Sequence, residues 1–298
     1  MAKIAAEINK TGFPLELRVA SVLRDRGYHV ATNMYFKDQD EEKGREIDIR
    51  ALKNAFLGQE RNAVRHCLLI ECKKSSSRPW VFFTSPAVSY DQTVNRVLCL
   101  GVETGQWIRS MEEMATMQKR HPWFRKPDRG RSFFEPFSSG GSDASQTIQK
   151  AILAAIKASL DAHKSKFAGA YSWPNAIFYY PVVVLEGDLF TATLTKGAVS
   201  LRIADEVLVS ANYRSFEHPA RREQHTVLVV REMAFKKALS ALDKWLFHCA
   251  KRFGDRPNRF EWVSRKRSMR RRKTHARKSK NAATSARSIS PLKSRMTN

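Results

Sequence analysis

Cysteine is scarce in this chain of 298 residues, which contains only four. Cys67, Cys72, Cys99 and Cys249 form no CxxC pair, and their spacing matches neither a disulfide-dense scaffold nor a zinc motif. Small buried thiols of this kind are typical of proteins in a reducing compartment. The cysteine content therefore argues against a secreted, disulfide-rich protein and against a structural zinc site.

Long apolar runs are also missing. The longest, residues 177–185, contains Pro181 and is well short of the roughly 18 residues that suggest a membrane span. The first ten residues mix charged and small side chains and include no apolar segment of the kind found in export signals. We therefore expect a cytoplasmic protein without a membrane partner.

Acidic residues are too few to balance the basic ones. Lys and Arg number 53 against 29 Asp and Glu, which gives a net charge of +24. Residues 263–298 contain thirteen basic residues and no acid, so residues 1–262 still carry +11. Because scattered Lys and Arg bind phosphates with release of counterions, the expected partner is DNA and the expected location is the nucleoid.

The last 36 residues cannot bury enough apolar surface to fold. We expect residues 263–298 to form a disordered basic tail that follows one folded domain, residues 1–262. Residues 100–143 are irregular in pattern and are expected to form an insertion or lid. The candidate nucleic-acid-binding residues of the tail are Arg265, Lys266, Arg267, Arg270, Arg271, Arg272 and Lys273.

Hydrophobic periodicity predicts an α/β protein. Helices are expected over residues 11–26, 144–163 and 232–252. Strands are expected over residues 28–36, 46–54, 66–74, 176–185, 188–194, 201–209 and 226–230. The order is a helix, three strands, a crossover helix and a buried strand, followed by extra C-terminal strands and a closing helix.

Apolar residues alternate along two of the predicted strands. Ile47, Ile49 and Ala51 are expected on one face of the second strand, because side chains two residues apart share a face. Leu68 and Ile70 are expected on the corresponding face of the third strand. These apolar faces are expected to join one core, which leaves the intervening charged residues on the other face.

The charged residues between them form the candidate site. A hairpin turn centred within residues 58–61 places Asp48 opposite Glu71, where the two Cβ atoms are roughly 5 Å apart. Two carboxylates at this spacing can share one divalent cation. Lys73 lies on the same face as Glu71 and can orient or deprotonate a water molecule. Glu16 lies at the edge of the first predicted helix and is a candidate third acid.

The order of these residues matches a known family. Glu16 lies in a helix, residues 45–49 read Arg-Glu-Ile-Asp-Ile, and residues 68–74 read Leu-Leu-Ile-Glu-Cys-Lys-Lys. In this order the chain resembles the PD-(D/E)xK nuclease superfamily, in particular its Mrr-like restriction endonucleases. Ile47 stands where the name of the superfamily has proline, and glutamate stands where the Mrr-like enzymes have glutamine. The motifs cover about the first third of the chain.

The resemblance implies a restriction-endonuclease-like αβββαβ core with a mixed sheet. It implies Mg²⁺ or Mn²⁺ bound by Asp48 and Glu71, with Lys73 as the catalytic lysine and Glu16 as an accessory acid. The expected function is metal-dependent hydrolysis of phosphodiester bonds in DNA, in a setting of restriction or defence, with Lys74 among the DNA-binding residues. A homodimer is left open.

Other interpretations remain for several residues. Asp38, Asp40, Glu41 and Glu42 resemble a calcium loop, but a solvated turn is favoured. Glu46 is an alternative metal ligand. His66 is more typical of a structural histidine than of a substrate contact. For the aromatic residues, core packing is favoured over base stacking; these are Trp80, Phe82, Phe83, Trp107 and Trp123.

Two other functions stay open beside the nuclease. One is a non-catalytic DNA-binding protein of the same fold that acts through its basic surface and tail. The other is cleavage of RNA, although the sequence contains no known RNA-binding signature.

Overall fold

The computed structural model describes residues 1–38, 40–56, 63–86, 121–123, 126, 128–137, 146–164, 176–214 and 224–254. These residues belong to one unit of the chain, Met1–Asp255. The basic tail, residues 263–298, lies outside the described residues. None of the described helices is both long and apolar enough to cross a membrane.

The described residues form four helices and eight strands. The helices are α1 (Ala2–Lys10), α2 (Phe13–Asp25), α3 (Gln146–Lys164) and α4 (Glu232–Gly254). The strands are β1 (His29–Asp38), β2 (Lys43–Phe56), β3 (Ala63–Pro86), β4 (Asp128–Phe134), β5 (Ala176–Thr195), β6 (Ala198–Ile203), β7 (Glu206–Asn212) and β8 (Gln224–Arg231).

All eight strands belong to one mixed sheet in the order β1-β2-β3-β4-β7-β8-β5-β6, with a further pairing between β3 and β5. The first three strands are antiparallel, whereas β5 runs parallel to both β3 and β8. The helix α3 connects the β4 region to β5, as expected for a crossover to a parallel strand. The predicted α/β class with a mixed sheet is confirmed.

Several element boundaries differ from the sequence prediction. The strands predicted over residues 176–185 and 188–194 are one continuous strand, β5. Gly187, in its middle, packs so closely on β3 that an added Cβ would lie 2.4 Å from the carbonyl oxygen of Ser75. The strand predicted over residues 201–209 is two strands, β6 and β7, and the helix α1 was not predicted. Pairing across the sheet therefore overrides the local pattern.

One segment of the predicted insertion or lid, residues 100–143, is a strand of the sheet. Residues 128–134 form β4, which pairs antiparallel with β3 and touches β7. Its Gly130 lies against Val207 and Phe82, so a side chain there would be crowded by neighbouring strands. The irregular composition concealed a short strand inside the sheet. Most of the remaining insertion lies outside the described residues.

The two faces of the sheet are covered by different helices. On one face α2 and α4 pack on alternate residues of β2, β3, β5 and β8 and form the largest cluster of buried apolar side chains. On the other face α3 packs through Ile148, Ile152 and Ile156 against a second cluster, and through Ala158 and Ala162 against a third. Burial of these faces is the main contribution to stability.

A chain of buried polar rings crosses the larger core. His66, Tyr180 and His121 are all fully buried. The Tyr180 hydroxyl lies 3.3 Å from Nε2 of His66 and 3.2 Å from Nε2 of His121. Burial lowers the pKa of His66 to about 3, with a smaller contribution from Lys53, and burial also lowers the pKa of His121. The structural role favoured for His66 agrees with this position.

We expect acid to destabilise the protein through His66. The folded chain keeps His66 neutral, whereas the unfolded chain protonates it below pH ~6.5, so stability is lost as the pH falls below that value. Relative to His66→Phe, the wild type should lose about 1.4 kcal/mol of unfolding free energy per pH unit between pH 6 and 5. Urea unfolding of both proteins measures this difference.

The exposed His29 provides the matched control. His29→Phe makes the same substitution at a surface position, and measuring it in parallel separates the effect of burial at residue 66 from that of the substitution itself. A difference in stability for His66→Phe that stays constant over the same pH range would contradict the assignment of a neutral buried imidazole.

Candidate active site

The hairpin of β2 and β3 has the predicted register. The paired residues run from Phe56 and Ala63 near the turn to Ile49 and Ile70. Continued by one residue, this register places Asp48 beside Glu71. One oxygen of Asp48, Oδ2, accepts a hydrogen bond of 2.6 Å from the backbone amide of Cys72. The Asp48 carboxylate is therefore held against the backbone of the Glu-x-Lys motif, residues 71–73.

The alternation predicted for β2 is broken at this point. Ile49 and Ala51 pack in the cluster under α2 and α4, but Ile47 packs in the cluster under α3. The prediction that all three residues share one face is therefore wrong. Asn33, which the pairing of β1 and β2 places next to Asp48, has a left-handed backbone with φ 53°. An irregularity of this kind turns a strand and re-aims its side chains.

Glu71 is buried and only partly hydrogen-bonded. Glu71 is 8% exposed, and its Oε1 accepts a hydrogen bond of 2.6 Å from Nζ of Lys73. Its second oxygen, Oε2, is buried and has no hydrogen-bond partner among the described residues. Burial raises the pKa of Glu71 to about 7; the Lys73 ammonium opposes this rise, and the Asp48 carboxylate adds to it.

Lys73 remains charged in this environment. Burial alone would lower its pKa, but the carboxylates of Glu71 and Asp48 raise the pKa above its usual value. At neutral pH the side chain is therefore an ammonium group that donates hydrogen bonds and offsets negative charge. It has no free electron pair with which to accept a proton.

Glu16 lies within electrostatic reach of the same site. It occupies the first turn of α2 and is half-buried. Burial raises its pKa, Asp48 raises it further, and Lys73 lowers it. The pKa of Asp48 is raised by burial as well, although the Cys72 amide and Lys73 stabilise its charged form. The structure thus brings Glu16, Asp48, Glu71 and Lys73 together.

Glu46 is a fourth carboxylate at the rim of this group. It is exposed, and its charge raises the pKa of both Glu16 and Asp48. The cluster therefore combines four acids with one ammonium group. Excess negative charge in a partly buried place is unfavourable without a counter-charge.

The acids do not form a complete metal site on their own. Among the described residues, no group of three or more His, Cys, Asp or Glu side chains is arranged to hold a metal ion. Mg²⁺ commonly uses only one or two carboxylates and takes its other ligands from water and substrate phosphate. The Oε2 of Glu71, which has no hydrogen-bond partner in the described part of the chain, and the adjacent Asp48 carboxylate fit a cation held in this way.

The residues predicted to bind nucleic acid are Lys74 and seven residues of the tail, and of these the structure describes only Lys74. Lys74 donates a hydrogen bond of 2.6 Å to the carbonyl oxygen of Asn9, and its Nζ lies 3.2 Å from Glu186. Its ammonium is thus engaged within the protein. The seven candidate residues of the tail lie outside the described residues. They are Arg265, Lys266, Arg267, Arg270, Arg271, Arg272 and Lys273.

Most of the described aromatic candidates belong to the core. Trp80 and Phe82 are fully buried, and Trp123 is 4% exposed. Phe83 is 40% exposed. Trp107 lies outside the described residues. Core packing, the favoured interpretation, is confirmed for Trp80, Phe82 and Trp123.

The acidic loop is not the solvated turn that the sequence suggested. Asp38 is fully buried and accepts hydrogen bonds from Nζ of Lys157 in α3 and from Arg45 in β2. These bonds and the Asp40 amide lower the pKa of Asp38 against the effect of burial. Two cations already satisfy this carboxylate, so it joins the β1–β2 turn to α3. Glu41 and Glu42 are exposed as expected.

Sequence analysis missed two parts of the site. The Cys72 amide, which holds Asp48, has no signal in the sequence because every residue except proline carries such a group. The left-handed Asn33 was also missed, although asparagine is one of the few residues that adopts this backbone readily. Comparisons with family models, with curated proteins and with solved structures found no significant match.

Proposed function

We propose that this protein is a metal-dependent nuclease that hydrolyses phosphodiester bonds in DNA. The observation that carries the proposal is the buried Glu71, whose Oε2 receives no hydrogen bond from any described residue and lies beside a second carboxylate and an ammonium group. A buried carboxylate oxygen without a hydrogen bond is costly, and a bound cation would satisfy it. The restriction-endonuclease-like core, the setting of restriction or defence and the nucleoid location belong to the same proposal.

Asp48 and Glu71 are the residues that would hold the metal, Mg²⁺ or Mn²⁺. When bound, such an ion polarises the phosphate and lowers the pKa of a coordinated water molecule. The hydrogen bond from Cys72 fixes the orientation of Asp48 before any ligand arrives. The site is therefore partly preorganised by the backbone of β3.

Lys73 is assigned to orient the attacking water and to stabilise the charge that develops on the phosphate. Its raised pKa favours this role over that of a general base at neutral pH. Glu16 supplies a further negative charge near the site and is assigned as an accessory acid. DNA is proposed as the substrate because the chain carries a net charge of +24.

Metal dependence is the direct test. We expect the full chain to cleave DNA in Mg²⁺ or Mn²⁺ and to lose cleavage in EDTA. Without the metal, the single ammonium group beside two carboxylates cannot stabilise the negative charge that develops on the phosphate. A gel assay on duplex DNA, single-stranded DNA and RNA, with methylated and unmethylated duplex, measures the activity and its substrate range.

The same assay separates the nuclease from a non-catalytic DNA-binding protein. Binding that weakens steeply with salt, with no cleavage in any divalent metal, would support the binding protein and contradict the nuclease. Cleavage of RNA alone would change the proposed substrate from DNA to RNA and would leave the proposed metal site unchanged.

A further inference from the structure

The outer edge of β6 is open. This strand lies at one end of the sheet and pairs only with β5; within the described ranges no other strand contacts its second edge. An edge strand presents unpaired N–H and C=O groups that can pair with a further strand. The edge is therefore a potential protein-binding surface.

One face of this hairpin is apolar and exposed. Leu194, Val199, Leu201 and Ile203 are 75%, 64%, 55% and 73% exposed. The pairings Leu194 with Val199 and Ala192 with Leu201 place these side chains on the same face. Isolated exposed apolar residues are ordinary, but a contiguous group beside an open strand edge is typical of an interaction site.

The opposite edge of the sheet is protected in a way that β6 is not. The strand β1 contains the left-handed Asn33 and the exposed Lys37. Irregular backbone and edge lysines are the usual devices that prevent pairing between sheets. Along β6 neither device is present, and its only charged residue, Arg202, lies on the face away from the apolar group.

We propose that β6 pairs antiparallel with β6 of a second copy of this chain, with Leu201 at the two-fold axis. In this register Leu201 meets its own equivalent, and Val199 meets Ile203 of the second copy. Directly opposed apolar side chains of paired strands contact one another and lose exposed area. The eight-stranded sheet then continues across the dimer.

The charges at the two ends of β6 select this arrangement. The exposed Lys196 precedes the strand and the exposed Asp205 follows it. Antiparallel pairing places each Lys196 near Asp205 of the other copy, whereas parallel pairing would place like charges together. Because one strand carries both halves of the complementary pattern, its best partner is its own equivalent. The interface is symmetric and closed, so it stops at the dimer.

The first test places a charge on the two-fold axis. Leu201→Lys introduces two ammonium groups that face each other, and the dimer dissociation constant should rise at least about tenfold. Leu194→Lys is the matched control and should leave the dissociation constant close to that of the wild type, since Leu194 is also an exposed leucine but lies in β5, one strand away from the new pairing. Sedimentation equilibrium of the full chain across a concentration series, without nucleic acid, measures both constants.

A charge exchange tests the register separately. Lys196→Glu and Asp205→Lys should each weaken the dimer at low salt, and the double variant should restore it. A monomer at every concentration would overturn the proposal, as would a dimer that Leu201→Lys leaves unchanged. Neither measurement depends on catalysis, so failure here is distinct from failure of the nuclease proposal.

Discussion

Lys73→Ala is expected to reduce metal-dependent cleavage by roughly a thousandfold or more while DNA affinity changes little. The variant removes the ammonium group that donates a hydrogen bond to the buried Glu71 carboxylate. Asp48→Ala should have an effect of the same size, because it removes the carboxylate that the Cys72 amide orients. Initial cleavage rates at saturating metal, with binding measured in Ca²⁺, check both expectations.

Lys74→Ala is the matched control for Lys73→Ala. Lys74 follows Lys73 in the same strand, but its ammonium contacts the Asn9 carbonyl oxygen and Glu186 and not the acidic cluster. This variant should retain most of the cleavage rate. Wild-type activity in Lys73→Ala or Asp48→Ala would refute the assignment of the site, provided that thermal unfolding shows both variants to be folded.

Asp243→Ala is expected to cost about 3 kcal/mol of unfolding free energy. Asp243 lies in α4 and is 7% exposed. Its carboxylate accepts bonds from the Tyr28 hydroxyl at 3.0 Å, from Lys53 at 2.9 Å and from Arg26 at 3.0 Å. Removal of the acid leaves two largely buried cations without their shared partner.

Asp188→Ala is the control for this prediction. Asp188 forms its ion pair with Arg231 at 3.4 Å, but its side chain is 70% exposed. Exposed pairs of this kind contribute at most about 1 kcal/mol. Denaturant unfolding at pH 7 measures both variants. An equal loss of unfolding free energy in the two variants would mean that the ion pairs of Asp243 do not stabilise the packing of α4 on the sheet.

The register of the candidate site could be predicted from the sequence because the hairpin is nearly symmetric about its turn. Asp48 and Glu71 are equally far from the centre of residues 58–61, and the paired strands follow that symmetry. The prediction that β2 alternates without interruption was wrong at Ile47, because alternation assumes a regular strand. The left-handed Asn33, which lies next to Asp48, belongs to β1, so no pattern within β2 itself signals it.

The ion pairs could not be predicted. Asp38 looked like a surface residue because its cation, Lys157, lies 119 positions away in α3. Asp243 likewise contacts Lys53, 190 positions earlier in the chain, and Arg26, 217 positions earlier. No local pattern encodes such partners. They are determined by the packing of α3 and α4 on opposite faces of the sheet.

The sequence by itself determined the α/β class, the register of the β2–β3 hairpin and the net positive charge, because these depend on residue type and short spacing. Only the tertiary structure decided that β4 joins the sheet and that β5 is one strand. It also decided that Glu71 is buried, with one oxygen that no described residue hydrogen-bonds. Burial depends on which elements pack above a residue, and that is a property of the folded chain as a whole.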